Sequence, residues 1–240
     1  NKYTVNWKNG DTVLQSGKVA YGEKPIYTGD TPTKAATAQY TYTFKGWTPE
    51  VTAVTGDTTY TAQFDAVVNE YTVTWENGDT VLQSGKVAYG EKPTYTGDTP
   101  TKAATAQYTY TFKGWTPAVS NVTGDATYTA QFDAVVNEYT ITWKNGDTVL
   151  QSGKVAYGEK PIYTGATPTK VATAQYTYVF KGWTPVVSNV TGDATYTAVF
   201  DAVVNEYTIT WKNGDTVLQS GKVAYGEKPT YTGDTPTKAA

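Results

Sequence analysis

Asn1-Lys2-Tyr3-Thr4-Val5-Asn6-Trp7-Lys8-Asn9-Gly10 opens the chain, and near-copies of this stretch begin at Asn69, Asn137 and Asn205. Each step is 68 residues, so three complete copies occupy 1–68, 69–136 and 137–204, and a fourth, at 205–240, holds only a first hairpin and the loop after it. A fixed period of this size marks a tandem array, and it has to be recognised before any fold is assigned. Within the opening stretch, Tyr3, Val5 and Trp7 alternate with Thr4 and Asn6. That is the two-residue period of a half-buried strand. Asn9-Gly10 then signals a tight hairpin.

The remaining elements follow outward from that hairpin. Thr12 to Tyr21 forms the returning strand, with Gly17 marking a bulge, and Gly22 and Pro25 end it. In the connection from Glu23 to Ala38, Thr31-Pro32 has the form of a helix start, and Lys34-Ala35-Ala36 extends it to one or two helical turns. Gln39 to Trp47 reads as a third strand with Tyr40, Tyr42 and Phe44 on one side. A regular strand points Trp47 away from Phe44 and sets Gly46 on the Phe44 face, at a place where another segment passes closely. Thr48-Pro49 stops this strand, Gly56-Asp57 turns the chain, and Thr58 to Phe64 is a fourth strand with Tyr60, Ala62 and Phe64 on one side. Asp65 to Glu70 is a six-residue connection to the next copy, too short and too apolar to act as a free linker. The expected architecture is mainly β: about four strands and at most one short helix per unit. Because each copy has its own closed set of strands, the copies are expected as beads on a string and not as a continuous solenoid.

Composition narrows the chemistry. The chain has no Cys, no His, no Met and no Arg, and its net charge is −3. Disulfide staples and imidazole or thiolate metal sites are excluded, and there is no basic patch for nucleic acid. No stretch approaches the length of an apolar membrane span. A 68-residue unit is small for a self-sufficient core. Aromatic residues supply the area: the first copy alone carries Tyr3, Trp7, Tyr21, Tyr27, Tyr40, Tyr42, Phe44, Trp47, Tyr60 and Phe64.

Several segments together resemble a known family: Tyr-Thr-Val-Asn-Trp at 3–7, Val-Ala-Tyr-Gly at 19–22, Tyr-Thr-Phe-Lys-Gly-Trp at 42–47, and Val-Thr-Gly-Asp-Thr-Thr-Tyr-Thr-Ala-Gln-Phe at 54–64. They resemble the Listeria–Bacteroides repeat, the internalin B-repeat type, and the resemblance recurs in every copy. It implies a compact β-grasp-like α+β fold and a place in secreted or wall-attached bacterial proteins, hence an extracellular or cell-surface location. The chain departs from the family in the longer Thr-Lys-Ala-Ala-Thr-Ala-Gln stretch at 33–39. The family supplies no catalytic residues to carry over.

A search for catalysis finds little. Nucleophilic systems need a base beside the nucleophile, usually His. The acids sit at turns such as Asn9-Gly10-Asp11 and Gly56-Asp57, where Asp favours the turn itself. No Asp-x-Asp-x-Asp run is present to bind Ca²⁺. No enzyme activity and no cofactor are expected. The candidate contact residues are Trp47, Trp115 and Trp183 with Tyr27, Tyr95 and Tyr163, each set at the same place in its copy. Such rings stack on sugars or pack between neighbouring repeats; they also serve as ordinary core.

Three functions fit. The first is a spacer or stalk of an extracellular surface protein; three and a half globules with a radius of gyration of about 11 Å in line would extend roughly 100 Å. The second is an adhesin module binding host glycan or protein through the rings, with repetition giving avidity. The third is self-assembly with other copies of the chain into a filament, suggested by the half-repeat at 205–240, since an isolated hairpin is marginal in water. Expected partners are therefore the neighbouring repeats, copies of the chain itself, or a host glycan or protein.

Overall fold

The computed structural model describes residues 1–238; positions 239 and 240, at the end of the expected fourth copy, lie outside the described residues. By its contacts the chain divides into two compact units, one of residues 1–102 with 111–133, the other of residues 103–110 with 134–240.

The first unit contains the whole of the first copy, with β1 (Lys2–Asn9), β2 (Thr12–Ala20), β3 (Tyr40–Thr48) and β4 (Thr58–Val68). Their order in the sheet is β2-β1-β4-β3. β1 with β2 and β3 with β4 are antiparallel hairpin-type pairs, whereas the central pair, β1 with β4, is parallel. The second copy repeats the order as β6-β5-β8-β7, from β5 (Glu70–Asn77), β6 (Thr80–Ala88), β7 (Tyr108–Thr116) and β8 (Ala126–Val136). In the second unit the third copy gives β10-β9-β12-β11, from β9 (Glu138–Asn145), β10 (Thr148–Ala156), β11 (Tyr176–Thr184) and β12 (Ala194–Val204). β13 (Glu206–Asn213) and β14 (Thr216–Ala224) make a two-stranded sheet.

The alternation in the sequence decides which face is buried. Val5, Trp7, Tyr60 and Ala62 lie on one face of the central parallel pair and are buried. Thr4, Asn6, Ser16 and Lys18 lie on the other, where Lys18 donates to the Thr4 hydroxyl and Ser16 to the Asn6 side chain. Two loops cover the apolar face. Val54, 1% exposed, comes from the loop between β3 and β4. Its backbone is fixed on both sides: its N–H donates to the Glu23 carbonyl, and its carbonyl accepts from the Gly22 N–H. Val54 belongs to no periodic segment, so pattern reading passes over it.

The connection at 23–38 departs from expectation. Among the described residues there is no helix, and the α component of the expected α+β class is replaced by irregular extended chain. Pro25 and Pro32, both within this segment, are buried. Gln15 on the sheet edge binds it as a neighbouring strand would, donating to the Ile26 carbonyl and accepting from the Thr28 N–H. Asn9 donates to the Thr33 carbonyl at 2.7 Å. Docked prolines and strand-like bonds to an edge hold the segment extended, which overrides the weak helix-start signal of Thr31-Pro32.

Three local expectations also change. The bulge in the first hairpin falls at Leu14, because Trp7 pairs with Gln15 and Lys8 with Val13, while Gly17 pairs regularly with Val5. A second bulge lies between Phe44 and Gly46, where Phe44 faces Phe64 and Gly46 faces Gln63. Gly46 takes φ +144°, a conformation L side chains avoid, and a Cβ there would meet nothing within 4 Å. Backbone geometry, and not a close neighbour, explains this glycine. Finally, the six-residue connection does not exist as a linker: β4 runs to Val68 and β5 starts at Glu70, leaving Asn69 alone between them.

Candidate functional site

The six predicted contact residues fall into one arrangement repeated three times. The extra residue at the β3 bulge reverses the alternation, so Trp47 lies on the same side as Phe44, with ring centroids 5.4 Å apart. The expectation that it points away is thereby corrected. Trp47 meets Trp7 edge-on at 4.7 Å and Tyr27 at 4.8 Å, and Trp7 in turn meets Tyr60 at 4.6 Å. Edge-to-face and tilted pairs at such distances are the favoured aromatic geometries. Trp115 with Tyr95 and Trp183 with Tyr163 reproduce the pair at 4.9 and 4.8 Å. Trp47 and Tyr27 are half-buried, so each ring is partly in the core and partly at the surface. The Tyr27 hydroxyl donates to the Asp30 carbonyl, and a recess of about 410 Å³ beside it is lined by Asn9, Leu14, Tyr27 and Pro32. A matching recess of about 380 Å³ lies at Asn77, Leu82, Tyr95 and Pro100.

A second cluster, at the joint between copies, was not singled out from sequence. Asn69 occupies the single position between β4 and β5. Its backbone N–H donates to the Gln39 carbonyl at 2.9 Å. Its side-chain Nδ2 donates to the Thr37 and Ala38 carbonyls at 2.8 and 3.0 Å, and its Oδ1 accepts from the Thr41 hydroxyl at 2.7 Å. The Tyr71 hydroxyl donates to the Ala38 carbonyl at 2.6 Å, and the Asn69 carbonyl accepts from the Tyr89 N–H. The 37–41 segment of one copy is thus bound by the first and third residues of the next.

The joint recurs. Asn137 binds Thr105, Ala106 and Thr109, and Asn205 binds Thr173, Ala174 and Thr177 through the same atoms. Tyr139 and Tyr207 repeat the bond of Tyr71. Tyr89 and Tyr157 are half-buried, whereas the equivalent Tyr21 and Tyr225 are 63% and 47% exposed. The available signal was an Asn at the first position of every copy, but its partners lie some thirty residues upstream and no local pattern reports them.

Around these clusters the electrostatics are mild. Lys45 with Asp65, Lys113 with Asp133 and Lys181 with Asp201 pair at 2.7–2.8 Å on the outer face, largely exposed. The hydrogen bond to Asp133, helped by its charge, holds the Lys113 ammonium above its ordinary pKa, and Asp201 does the same for Lys181. Among the described residues no group of three or more acids is placed to hold a metal ion.

No protein-family model and no curated protein matches the sequence. A solved structure of Streptococcal High Identity Repeats in Tandem (SHIRT) domains 3–4 from a cell surface protein is similar with a TM-score of 0.30 and 18% identity, over 56% of this chain and 99% of that one. At that level the likeness assigns neither fold nor function.

Proposed function

We propose that the chain is a structural repeat segment of an extracellular bacterial surface protein and acts as a spacer. The observation that carries this reading is the Asn joint. A one-residue connection with side-chain and backbone bonds to the preceding copy at Asn69, Asn137 and Asn205 restricts rotation between repeats, as a spacer requires and a flexible tether does not. The surface location, and membership of the Listeria–Bacteroides repeat type, rest on the motifs at 3–7, 42–47 and 54–64. The sheet order β2-β1-β4-β3 with a parallel central pair supports a relation to β-grasp folds in which loop has replaced the helix. The reading assigns no catalysis and no cofactor.

Small-angle scattering with light scattering on the full chain, over a concentration series, tests it. A monomer with a maximum dimension near the roughly 100 Å of globules in line is expected at every concentration. A compact particle overturns the spacer; growth with concentration turns the reading to filament assembly.

A second reading, adhesion to host glycan or protein, is favoured by the recurring recess beside Tyr27 and Tyr95. Binding of glycans to the chain, lost on Tyr27→Ala, Tyr95→Ala and Tyr163→Ala together, is its test.

A further inference from the structure

We infer that each complete repeat bears tension along the chain through a shear clamp made of its first and last strands. The chain enters a repeat at the start of β1 and leaves it at the end of β4. These two strands are adjacent and parallel, in register from Val5 with Thr58 to Lys8 with Thr61. Entry and exit therefore lie at opposite ends of one strand pair. A pull between them runs along the strands and loads the evenly spaced bonds of the ladder together. A pull across the same strands would open those bonds one at a time, each against the small net free energy of a single hydrogen bond.

Two further features stiffen the pair against sliding. The Thr4 N–H donates to Asp57 Oδ1 at 2.6 Å, adding a charge-assisted bond at the entry end of the ladder. Thr72 with Asp125 and Thr140 with Asp193 repeat it at 2.7 and 2.6 Å. Trp7 and Tyr60 are direct partners across the ladder, their rings 4.6 Å apart, 3% and 2% exposed. Moving one strand along the other drags these buried rings past their neighbours, and water has little access to compete for the bonds beneath them. Trp75 with Tyr128 and Trp143 with Tyr196 hold the same relation in the other complete copies. Among the described residues, β13 pairs only with β14, so the clamp is confined to the three four-stranded sheets.

The inference concerns the mechanics of each repeat and rests on the spacer reading only for its use. Forced unfolding follows the unfolding rate along the pulled direction, so geometry can be isolated from equilibrium stability. The chain contains no Cys, so introduced thiols give unique handles. The full chain is pulled by single-molecule force spectroscopy, first through its two ends, then through Asp11→Cys and Gln63→Cys, exposed sites at the far end of the β1–β4 pair. End-to-end pulling is expected to give three unfolding events of similar force, several-fold above the force that opens the first repeat across its strands. Equal forces in the two directions, or a lower end-to-end force, overturn the clamp. The combined variant Asp57→Ala, Asp125→Ala and Asp193→Ala is expected to lower the end-to-end force and leave the crosswise force unchanged; an equal loss in both directions also counts against it. A compact or aggregating particle in scattering would sink the spacer reading without altering these forces.

Discussion

Asn69 donates through Nδ2 to the Thr37 carbonyl oxygen at 2.8 Å, so the first residue of one repeat fills a hydrogen-bond position on the repeat before it. The same nitrogen reaches Ala38, and Oδ1 takes the Thr41 hydroxyl, so one side chain makes three bonds across the joint. Asn69→Ala, Asn137→Ala and Asn205→Ala together remove nine such bonds without touching a core ring. With each worth about 1 kcal/mol at most in these exposed surroundings, every repeat should still fold. Scattering should show a wider spread of particle dimensions, and circular dichroism an unchanged strand signal. Unchanged scattering would mean that the short connection alone sets the angle.

What the sequence made legible, and what it did not, divides along the range of the interactions. β1 was readable because Tyr3, Val5 and Trp7 obey a local alternation that the sheet preserves. Trp47 was misplaced because the bulge at Lys45-Gly46 inserts one residue into that count, and nothing in Phe-Lys-Gly-Trp distinguishes a bulge from a regular strand with a glycine. The 23–38 segment was misread because Pro32 acts through burial against the sheet, not through the helix start it resembles. Tyr27 and Trp47 were legible as candidate contact residues, but that they lie against each other, 4.8 Å apart, was not. The Asn joint was invisible because side-chain bonds to backbone carbonyls thirty residues away leave no periodic trace.

Trp47 stands between Trp7, Phe44 and Tyr27. Removing a buried Trp costs about 3–5 kcal/mol, and a half-buried one should lie below that range, near 2–3 kcal/mol. Trp47→Ala should therefore lower the denaturation midpoint of the first repeat strongly and leave the third repeat unaffected. Denaturant titration followed by tryptophan fluorescence reads this. A loss of less than about 1 kcal/mol would place the ring outside the working core and strengthen the ligand-binding reading.

Two glycines on the opposite edge strands of the sheet should respond oppositely to alanine. At Gly46 a Cβ meets no atom but φ is +144°, so Gly46→Ala should cost about 1–3 kcal/mol through backbone strain alone. At Gly17 a Cβ also meets nothing, and no unusual φ is required. Gly17→Ala should stabilise by about 0.4–1 kcal/mol through the unfolded chain. Melting of the two single variants side by side checks the difference in sign, which a packing explanation of Gly46 does not produce.

The ion pairs set a prediction for alkaline pH. Lys113 and Lys181 are held above the ordinary lysine value of 10.5 by their bonds to Asp133 and Asp201. A raised pKa in the folded state means the contribution is complete below 10.5 and declines only as pH rises through the higher folded value. With no His to titrate nearer neutrality, these pairs should give a flat melting temperature from about pH 6 to 9 and a small decline beyond about pH 10.5. Lys113→Gln with Lys181→Gln should lower the neutral plateau slightly, since such surface pairs are weak, and thereby flatten the alkaline decline, the two proteins converging above the folded lysine value.

β13 and β14 keep the register of the complete copies but lack the strand that covers them. Ile141 and Trp143 on β9 are 2% and 3% exposed, whereas the equivalent Ile209 and Trp211 on β13 are only half-buried, and Tyr207 is 45% exposed. The hairpin retains its loop, through Gln219 with Thr232 and Trp211 against Tyr231 at 5.6 Å, and its joint to the third copy through Asn205. Those contacts keep it folded, yet the parallel ladder that seals β9 against β12 is missing. Backbone amides of β13 should therefore exchange with deuterium much faster than those of β9, because local opening exposes fewer buried groups. Appending a copy of residues 173–204 after position 240 supplies the equivalents of β11 and β12, and should slow exchange in β13 to the level of β9. Equal protection of β13 and β9 in the chain as it stands would show that the loop and the Asn205 joint, and not the parallel strand, hold the first hairpin of a repeat in place.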